Sequence, residues 1–512
     1  MISLSKQVKS LAMTNLLWGH KARFSYLLFA SIFLLFTLLG AREIWTQEHR
    51  WADIVFGMFY RHDFLHPYLG ETDYYDKPLL SYWLIALTAK ITQAFTTWEL
   101  RLPSALSGIL AIWSIYRIGT VLKDKQLGLL SGWLLLTTFY FVFWARTSSA
   151  DMLNLAGSLF AIAWYMIHRK QSSFFNYAIF FLIIAFTSLC KGLVGAIVPF
   201  LAVATDIQLQ KSWKQHINSS LVLALVPAIV IYLLPFWASS HFGSHTYGEN
   251  GLYLVYRENI LRYFKPFDHQ GPIYTYLLYL PIYLMPSVIF FVPALFTLKS
   301  RWRTLSVNSK WIAWTLLLLF LFFTFSGSRR SYYVLPMVPF AILLSADWLL
   351  SRTNSLVKRW ERGAASLVLL SFVLIFIAVD VIPAWYYSQY GVNRFAIALK
   401  KEASKIKPWE TWNIVLLDAE SKLNFYLQLP PGTEKYHIKG DQRHLQTADK
   451  LKTEWQILEN KPANTIFISR KTYAPALQPY FMGYRMLELP AQKSLPFMKK
   501  DNGDAPIAFI PN

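Results

Sequence analysis

A single cysteine, Cys190, in 512 residues excludes an intramolecular disulfide, so no covalent staple supports the fold and cysteine usage says nothing about the redox compartment. Charge is scarce too, at 15% of residues against 54% hydrophobic. Acids are fewer than bases, 29 against 50, which leaves a formal net charge of +21. That balance would suit a nucleic-acid binder if the bases formed a solvated face, but they punctuate long apolar runs instead, as the positive-inside rule expects of a membrane protein. Nucleic acid is therefore not an expected partner. Internal repeats and low-complexity tracts are lacking, as is the HExxH or clustered Cys/His spacing of a dedicated zinc site.

What is abundant is apolar sequence in runs long enough to cross a bilayer, which sets the class as an all-α polytopic membrane protein. Candidate spans are 24–41, 102–121, 127–144, 152–167, 174–190, 192–206, 219–238, 273–298, 311–326, 331–350 and 364–385. These runs hold charge only near their ends, at Arg117, Asp206, Asp347 and Asp380; at the bilayer centre a charge costs roughly 2.5 to 3.5 kcal/mol on insertion scales. One further apolar stretch, Pro78 to Phe95, is long enough to invert everything downstream if it spans. Laid along the membrane surface instead, it leaves Lys123, Lys125, Arg169, Lys170, Lys211, Lys214 and the bases of 299–303 and 358–362 on the side of the basic N-terminus. Residues 1–23, with Lys6, Lys9, Lys21 and Arg23 ahead of an apolar run, then read as a cytoplasmic segment before a retained signal anchor. The opposite face receives 47–95, 145–151, Lys191, 239–271 and 326–331.

After Trp385 the texture changes. Asn413 to Ala419, Thr465 to Ser469, Arg485 to Leu489 and Ile507 to Pro511 read as short strands, and Gln446 to Glu459 as an amphipathic helix. The expectation is a membrane domain over 24–385 with a first outer loop at 42–101, followed by a small α/β domain over 386–512 on the outer side.

The outer loops hold the groups that can do chemistry. Glu48, Arg50 and Asp53 lie just beyond the first span, either reaching a reacting group or anchoring a surface helix to headgroups. Tyr74, Asp76 and Lys77 precede Pro78, which suits the first turn of a helix because it lacks an amide hydrogen. A helix start with a lysine beside it attracts a phosphate, although Lys77 also reads as a snorkelling interfacial base. Asp151 opens the run from 152 and serves equally as an N-terminal cap. Residues 239–271 carry His241, His245, Glu249, Arg257, Glu258, Arg262, Lys265, Asp268 and His269. Arg329 and Arg330, in SGSRRSYY, fall where the charge rule disfavours bases, and this points to phosphate binding.

Together these loops, over roughly 20–385, resemble the family 39 lipid-linked glycosyltransferases: the protein O-mannosyltransferases and, more closely, the bacterial aminoarabinose transferases that modify lipid A. The family's first-loop Asp-Glu-x-Arg-aromatic-Ala-acidic motif is similar to Gln47-Glu48-His49-Arg50-Trp51-Ala52-Asp53, with Gln47 in place of the aspartate. Its Tyr-Phe-Glu-Lys-Pro resembles Tyr74-Tyr75-Asp76-Lys77-Pro78. Asp151, Lys191-Gly192, the set Glu258, Arg262 and His269, and the set Arg329, Arg330 and Tyr333 match its later motifs.

The resemblance implies a GT-C-like fold of about 11 to 13 transmembrane helices in a bacterial inner membrane, with the active site on the periplasmic face and a periplasmic C-terminal α/β domain. It implies transfer from a polyprenyl-phosphate-linked sugar donor to a lipid, glycan or protein acceptor, among membrane lipids. Glu48 and Asp151 become the candidate catalytic carboxylates, and Arg50, Tyr74, Lys77, Arg262, Arg330 and Tyr333 the candidate donor-phosphate contacts. Asp76 and His269 are candidate ligands of a divalent metal; no nucleotide cofactor is expected. Gln47 leaves room for an acceptor that arrives ionised, such as a phosphate. Two other readings fit many spans with basic outer loops: a lipid or sugar transporter or flippase, and a non-catalytic sugar-lipid binding protein.

Overall fold

A computed structural model describes residues 13–45, 47–70, 72–74, 77–242, 253, 255–267, 269–351, 355–436, 461–489 and 505–512. Within it the chain separates into two compact units: one of residues up to Leu39 with Tyr74–Asp380, the other of Gly40–Asp73 with Val381–Asn512.

The first unit is helical and apolar throughout. Helices Thr97–Leu122, Ala150–His168 and Phe174–Lys191 form its centre, joined by Ser219–His241, which packs on Phe174–Lys191 and exposes most of its apolar surface. Among the described residues seven helices are long and apolar enough to cross a membrane, or eight if one bent pair is a single span. The chain is a multi-pass membrane protein. Several runs that look continuous in sequence are not continuous as helices. The run 127–144 folds as Lys125–Leu136 and Phe139–Ala145, bent by 73°, where the paired β-branched Thr137 and Thr138 turn their hydroxyls onto Trp133 O and Leu134 O. The run 273–298 divides into Thr275–Tyr283 and Val288–Phe296, because Pro286 between them has no amide hydrogen to continue the ladder. The stretch 78–95 forms Leu80–Thr92. Its 13 residues reach about 20 Å, less than the ~30 Å hydrocarbon core. Leu79 is the N-cap of this helix, so Pro78 lies one residue outside the first turn expected for it.

Helix starts follow the sequence closely. Thr96 and Glu99 form a capping box, Glu99 accepting from Thr96 N at 2.9 Å. Asp124, Ser149, Ser173, Asn218 and Ser306 each accept an amide hydrogen from the first turn they precede. Three acids of the apolar runs rest on cations: Asp206 on Arg169 at 3.2 Å, Asp347 on Lys123 at 3.5 Å and Asp380 on Arg146 at 2.8 Å. Pairing removes the largest objection to carboxylates in such surroundings.

The second unit is a five-stranded sheet with helices. A hairpin of β1 (Tyr68–Leu69) and β2 (Thr72–Asp73) turns on Gly70 at φ +67°, a conformation glycine adopts without strain. The strands β3 (Asn413–Leu417), β4 (Lys435–Tyr436), β5 (Thr465–Arg470), β6 (Tyr484–Glu488) and β7 (Pro506–Pro511) are ordered β4-β3-β5-β7-β6. Pairs β3/β4 and β3/β5 are parallel, β5/β7 and β6/β7 antiparallel, with Val415 opposite Phe467 and Phe467 opposite Phe509. Alternation sends Ile414, Leu416, Ile466, Ile468, Ala508 and Ile510 to one face, under helices Val392–Ala403 and Lys422–Leu427. Val415, Leu417, Phe467, Ile507 and Phe509 go to the other face, against Tyr473, Leu477 and Phe481. Both faces are buried, which explains why these strands read as unbroken apolar runs. Val392, Phe395, Ala396, Leu399 and Ala403 form the stripe that docks the first of those helices; burying Phe395 alone contributes about 1.5 to 3 kcal/mol. The amphipathic segment 446–459 lies outside the described residues.

Candidate active site

In the first unit several ion and hydrogen-bonded pairs come together. Asp151 sits in the first turn of Ala150–His168, its amide donating to Ser149 Oγ at 3.3 Å. Its carboxylate accepts from the Nζ of Lys191, the last residue of helix Phe174–Lys191. A cation suits a helix C-terminus and an anion a helix N-terminus, so both helix dipoles favour this pair. Lys191 Nζ also stands 4.9 Å from the centre of the Tyr333 ring.

Gly192 then turns the chain at φ +111°. Here the backbone passes so close to Asn259 that a Cβ would fall 2.6 Å from its Oδ1. That same Oδ1 accepts from Leu193 N at 2.7 Å. Asn259 belongs to a π-helical turn, Tyr256–Leu261, which also carries Glu258. Glu258 accepts from Arg262 at 2.5 Å and from Arg257 at 3.1 Å, and Arg262 Nε donates to Ser328 Oγ at 3.3 Å.

The arginines of 326–333 divide by task. Arg329 is a backbone brace: its guanidinium donates to Gly271 O at 2.5 Å and Thr324 O at 3.1 Å, and its amide to His269 O at 2.8 Å. Arg330 donates to the His269 ring and, at 2.8 Å, to the Tyr332 hydroxyl. The Tyr332 ring contacts Tyr333 at 5.1 Å and Trp144 at 5.1 Å, and so links Arg330 to the wall beside Lys191. Asp151, Lys191, Glu258, Arg262, His269, Arg330 and Tyr333 thus belong to one linked set. Lys77 and Tyr74 are half-buried on the segment entering Leu80–Thr92. Asp76, His245, Glu249 and Asp268 lie outside the described residues.

The first-loop candidates belong to the second unit. Glu48 opens the helix Glu48–Arg61 and is fully buried; its carboxylate accepts from Trp45 N at 2.8 Å and faces Arg42 at 3.4 Å. Gln47 is the N-cap residue and makes no side-chain cap. Arg50 is half-buried on the same helix. Asp53 packs near Lys435 and Asn424, and burial pushes its carboxyl up from the usual 3.8 to about 6 against the pull of that lysine. Glu43, only 5% exposed, pairs with Lys422 at 2.9 Å and accepts from Asn393 N at 3.2 Å. Burial opposes the charge on Lys422, yet the Glu43 and Glu420 carboxylates beside it hold its pKa above the ordinary lysine value.

Sequence reasoning left out Asn259 and Ser328, which hold the Lys191 turn and Arg262. Their signal was faint: an uncharged polar residue between Glu258 and Arg262, and a serine beside two arginines. It also left out Glu43, whose partners lie hundreds of residues away.

No three His, Cys, Asp or Glu side chains among the described residues gather so as to hold a metal ion. His269 faces the fixed positive charge of Arg330, and Asp76, the other expected ligand, lies outside the described residues.

Residues 76–237 match the family model described as dolichyl-phosphate-mannose-protein mannosyltransferase. The undecaprenyl phosphate-alpha-4-amino-4-deoxy-L-arabinose arabinosyl transferase of Pectobacterium atrosepticum is 26% identical over 334 residues, 63% of this chain and 58% of that relative. The chain therefore spans less than two thirds of that relative's length. In fold, the crystal structure of ArnT from Cupriavidus metallidurans bound to undecaprenyl phosphate superposes with a TM-score of 0.68 at 15% identity, covering 95% of this chain and 97% of the other. An oligosaccharyltransferase of Archaeoglobus fulgidus, solved with Zn and sulfate, gives 0.50 at 11% identity over 89% and 69%. The helical architecture with its small C-terminal sheet is the GT-C fold of the ArnT structure.

Proposed function

We propose, for a chain that is a relative of the family 39 lipid-linked glycosyltransferases, that it moves a sugar from a polyprenyl-phosphate donor to an acceptor at the outer face of the inner membrane, with inversion at the anomeric carbon. The observation that carries this reading is the linked set in the helical unit, where Lys191, Arg262 and Arg330 stand with Asp151 and Tyr333. As the glycosidic bond breaks, the leaving phosphate gains a second negative charge. Cations fixed in place beforehand stabilise that charge without reorganising at the moment of reaction. Arg262 and Arg330 offer planar donor pairs to phosphate oxygens. Lys77 and Arg50 add charge, and the hydroxyls of Tyr74 and Tyr333 add donors. The chain's own cations stabilise the leaving group's charge.

The acceptor follows from the state of the carboxylates. Asp151 is engaged by Lys191 and Glu48 by the Trp45 amide and Arg42, while Gln47 is uncharged. Carboxylates occupied by such partners are not aimed at the proton of a sugar or serine hydroxyl. A phosphate on a lipid or glycan is ionised at neutral pH and attacks without giving up a proton, so we assign an anionic acceptor.

The test is transfer from a radiolabelled polyprenyl-phosphate sugar in membranes containing the protein. The Lys77→Ala, Arg330→Ala double variant is expected to lose about a hundredfold or more in kcat/KM. Full transfer by that variant sinks the phosphate assignment. Equal labelling of phosphorylated and dephosphorylated lipid acceptors removes the anionic-acceptor assignment.

A further inference from the structure

The first-loop helix and the C-terminal sheet are parts of one compact unit although they stand at opposite ends of the sequence. Three consecutive residues make the join. Glu43 accepts from Lys422 Nζ at 2.9 Å on one carboxylate oxygen and from the backbone amide of Asn393 at 3.2 Å on the other. Ile44 donates its amide to the Tyr426 hydroxyl at 3.0 Å. Trp45 donates its amide to Glu48 at 2.8 Å, and Glu48 begins the helix. Both receiving elements, Val392–Ala403 and Lys422–Leu427, are packed on the same face of the sheet around Leu416 and Ile468. The line of contact from these two helices to Glu48 is therefore short, and its ties are hydrogen bonds and an ion pair, while apolar packing joins the helices to the sheet. Gly391 leaves the room it needs, since a Cβ there would fall 2.8 Å from Glu43 Oε1.

We propose that the C-terminal α/β unit takes part in the transfer by holding the first-loop helix, with Glu43, Lys422 and Tyr426 as positioning residues for Glu48 and Arg50. This rests on the reading that the loop serves the transfer. None of the three touches substrate. They act through the placement of helix Glu48–Arg61, which also carries Asp53 beside Asn424 and Lys435. Loss of one tie lets the helix start shift while the donor-phosphate contacts of the helical unit stay intact. The expected signature is consequently a fall in kcat with donor KM little changed.

Full-length protein in membranes is assayed as wild type, Lys422→Met, Lys422→Arg and Tyr426→Phe, with kcat and donor KM measured separately and amide hydrogen exchange followed across Glu48–Arg61. Lys422→Met is expected to lower kcat about tenfold or more with donor KM within about twofold, since small misplacements of catalytic groups are costly. Lys422→Arg, which keeps the charge, is expected to restore most of the rate, and Tyr426→Phe to give a smaller loss. Exchange across the helix is expected to quicken in Lys422→Met. Wild-type kcat in Lys422→Met, an equal loss in donor binding, or unchanged exchange each overturns the proposal. If the wild-type protein transfers no sugar, the transferase reading fails first, and exchange alone decides whether the sheet holds the helix.

Discussion

The Lys191–Gly192 step shows how one residue type follows from one contact. A side chain at 192 would have to adopt φ +111° and would meet the Asn259 oxygen that caps Leu193. Gly192→Ala is expected to cost about 1 to 3 kcal/mol of stability, read as a lowered unfolding midpoint in detergent. With Asn259→Ala already present the added loss is expected to be smaller, because the two positions share one contact; full additivity would show that the close approach is not the cause. At this scale the sequence was legible where charge stood out of place. Arg330 was visible as a base where the charge rule disfavours one. Arg329 beside it was visible for the same reason, but its backbone-bracing role was not, since nothing in the pair of letters says which guanidinium turns inward.

Among elements, strands were easier to read than membrane helices. β3, β5, β6 and β7 lie where short apolar runs bounded by polar residues put them. β4 and the β1/β2 hairpin escaped notice because each strand is two residues long. Apolar runs locate membrane helices but not their breaks, which proline and threonine decide. The first-loop helix carries its own pH signature. Asp53 titrates near 6 in the folded unit against 3.8 ordinarily, so the folded state binds the extra proton between those values. Stability from this group is greatest below pH 3.8 and falls as pH rises through about 6. Asp53→Asn is therefore expected to stabilise the protein at pH 7 and to make little difference at pH 3.5 or below, measured by unfolding at both ends of the range. A gain at low pH alone would contradict the burial of this carboxylate.

For the whole molecule, the charge pattern makes a topological prediction. Cys190 is buried and is the sole cysteine, so a Cys190→Ser background accepts single reporters. Met482 is 88% exposed in the sheet unit and Arg303 is exposed beside a basic turn. In intact spheroplasts a membrane-impermeant maleimide is expected to label Met482→Cys at once and Arg303→Cys only after the membrane is opened. The reverse order would invert the proposed outer face. Paired acids near helix ends, at Asp206 and Asp347, also weigh against a transporter, which needs ionisable groups along its path at mid-membrane. The grouping of Gly40–Asp73 with the C-terminal sheet was not legible, because hydropathy and charge describe neighbours in sequence and this contact joins residues far apart.

That contact has a consequence for how the protein is made. Ile44 and Tyr426 are separated by 382 positions, so the first-loop helix emerges long before the surface that receives it. At about 5 to 20 residues per second it waits roughly 20 to 75 s, already outside the first span, while the remaining helices are inserted. A chain that stops after Asp380 but short of Lys422 has its membrane helices synthesised and an amphipathic helix with nothing to fold against. The helix is therefore seated late, after the membrane helices have been made and not while they are being inserted.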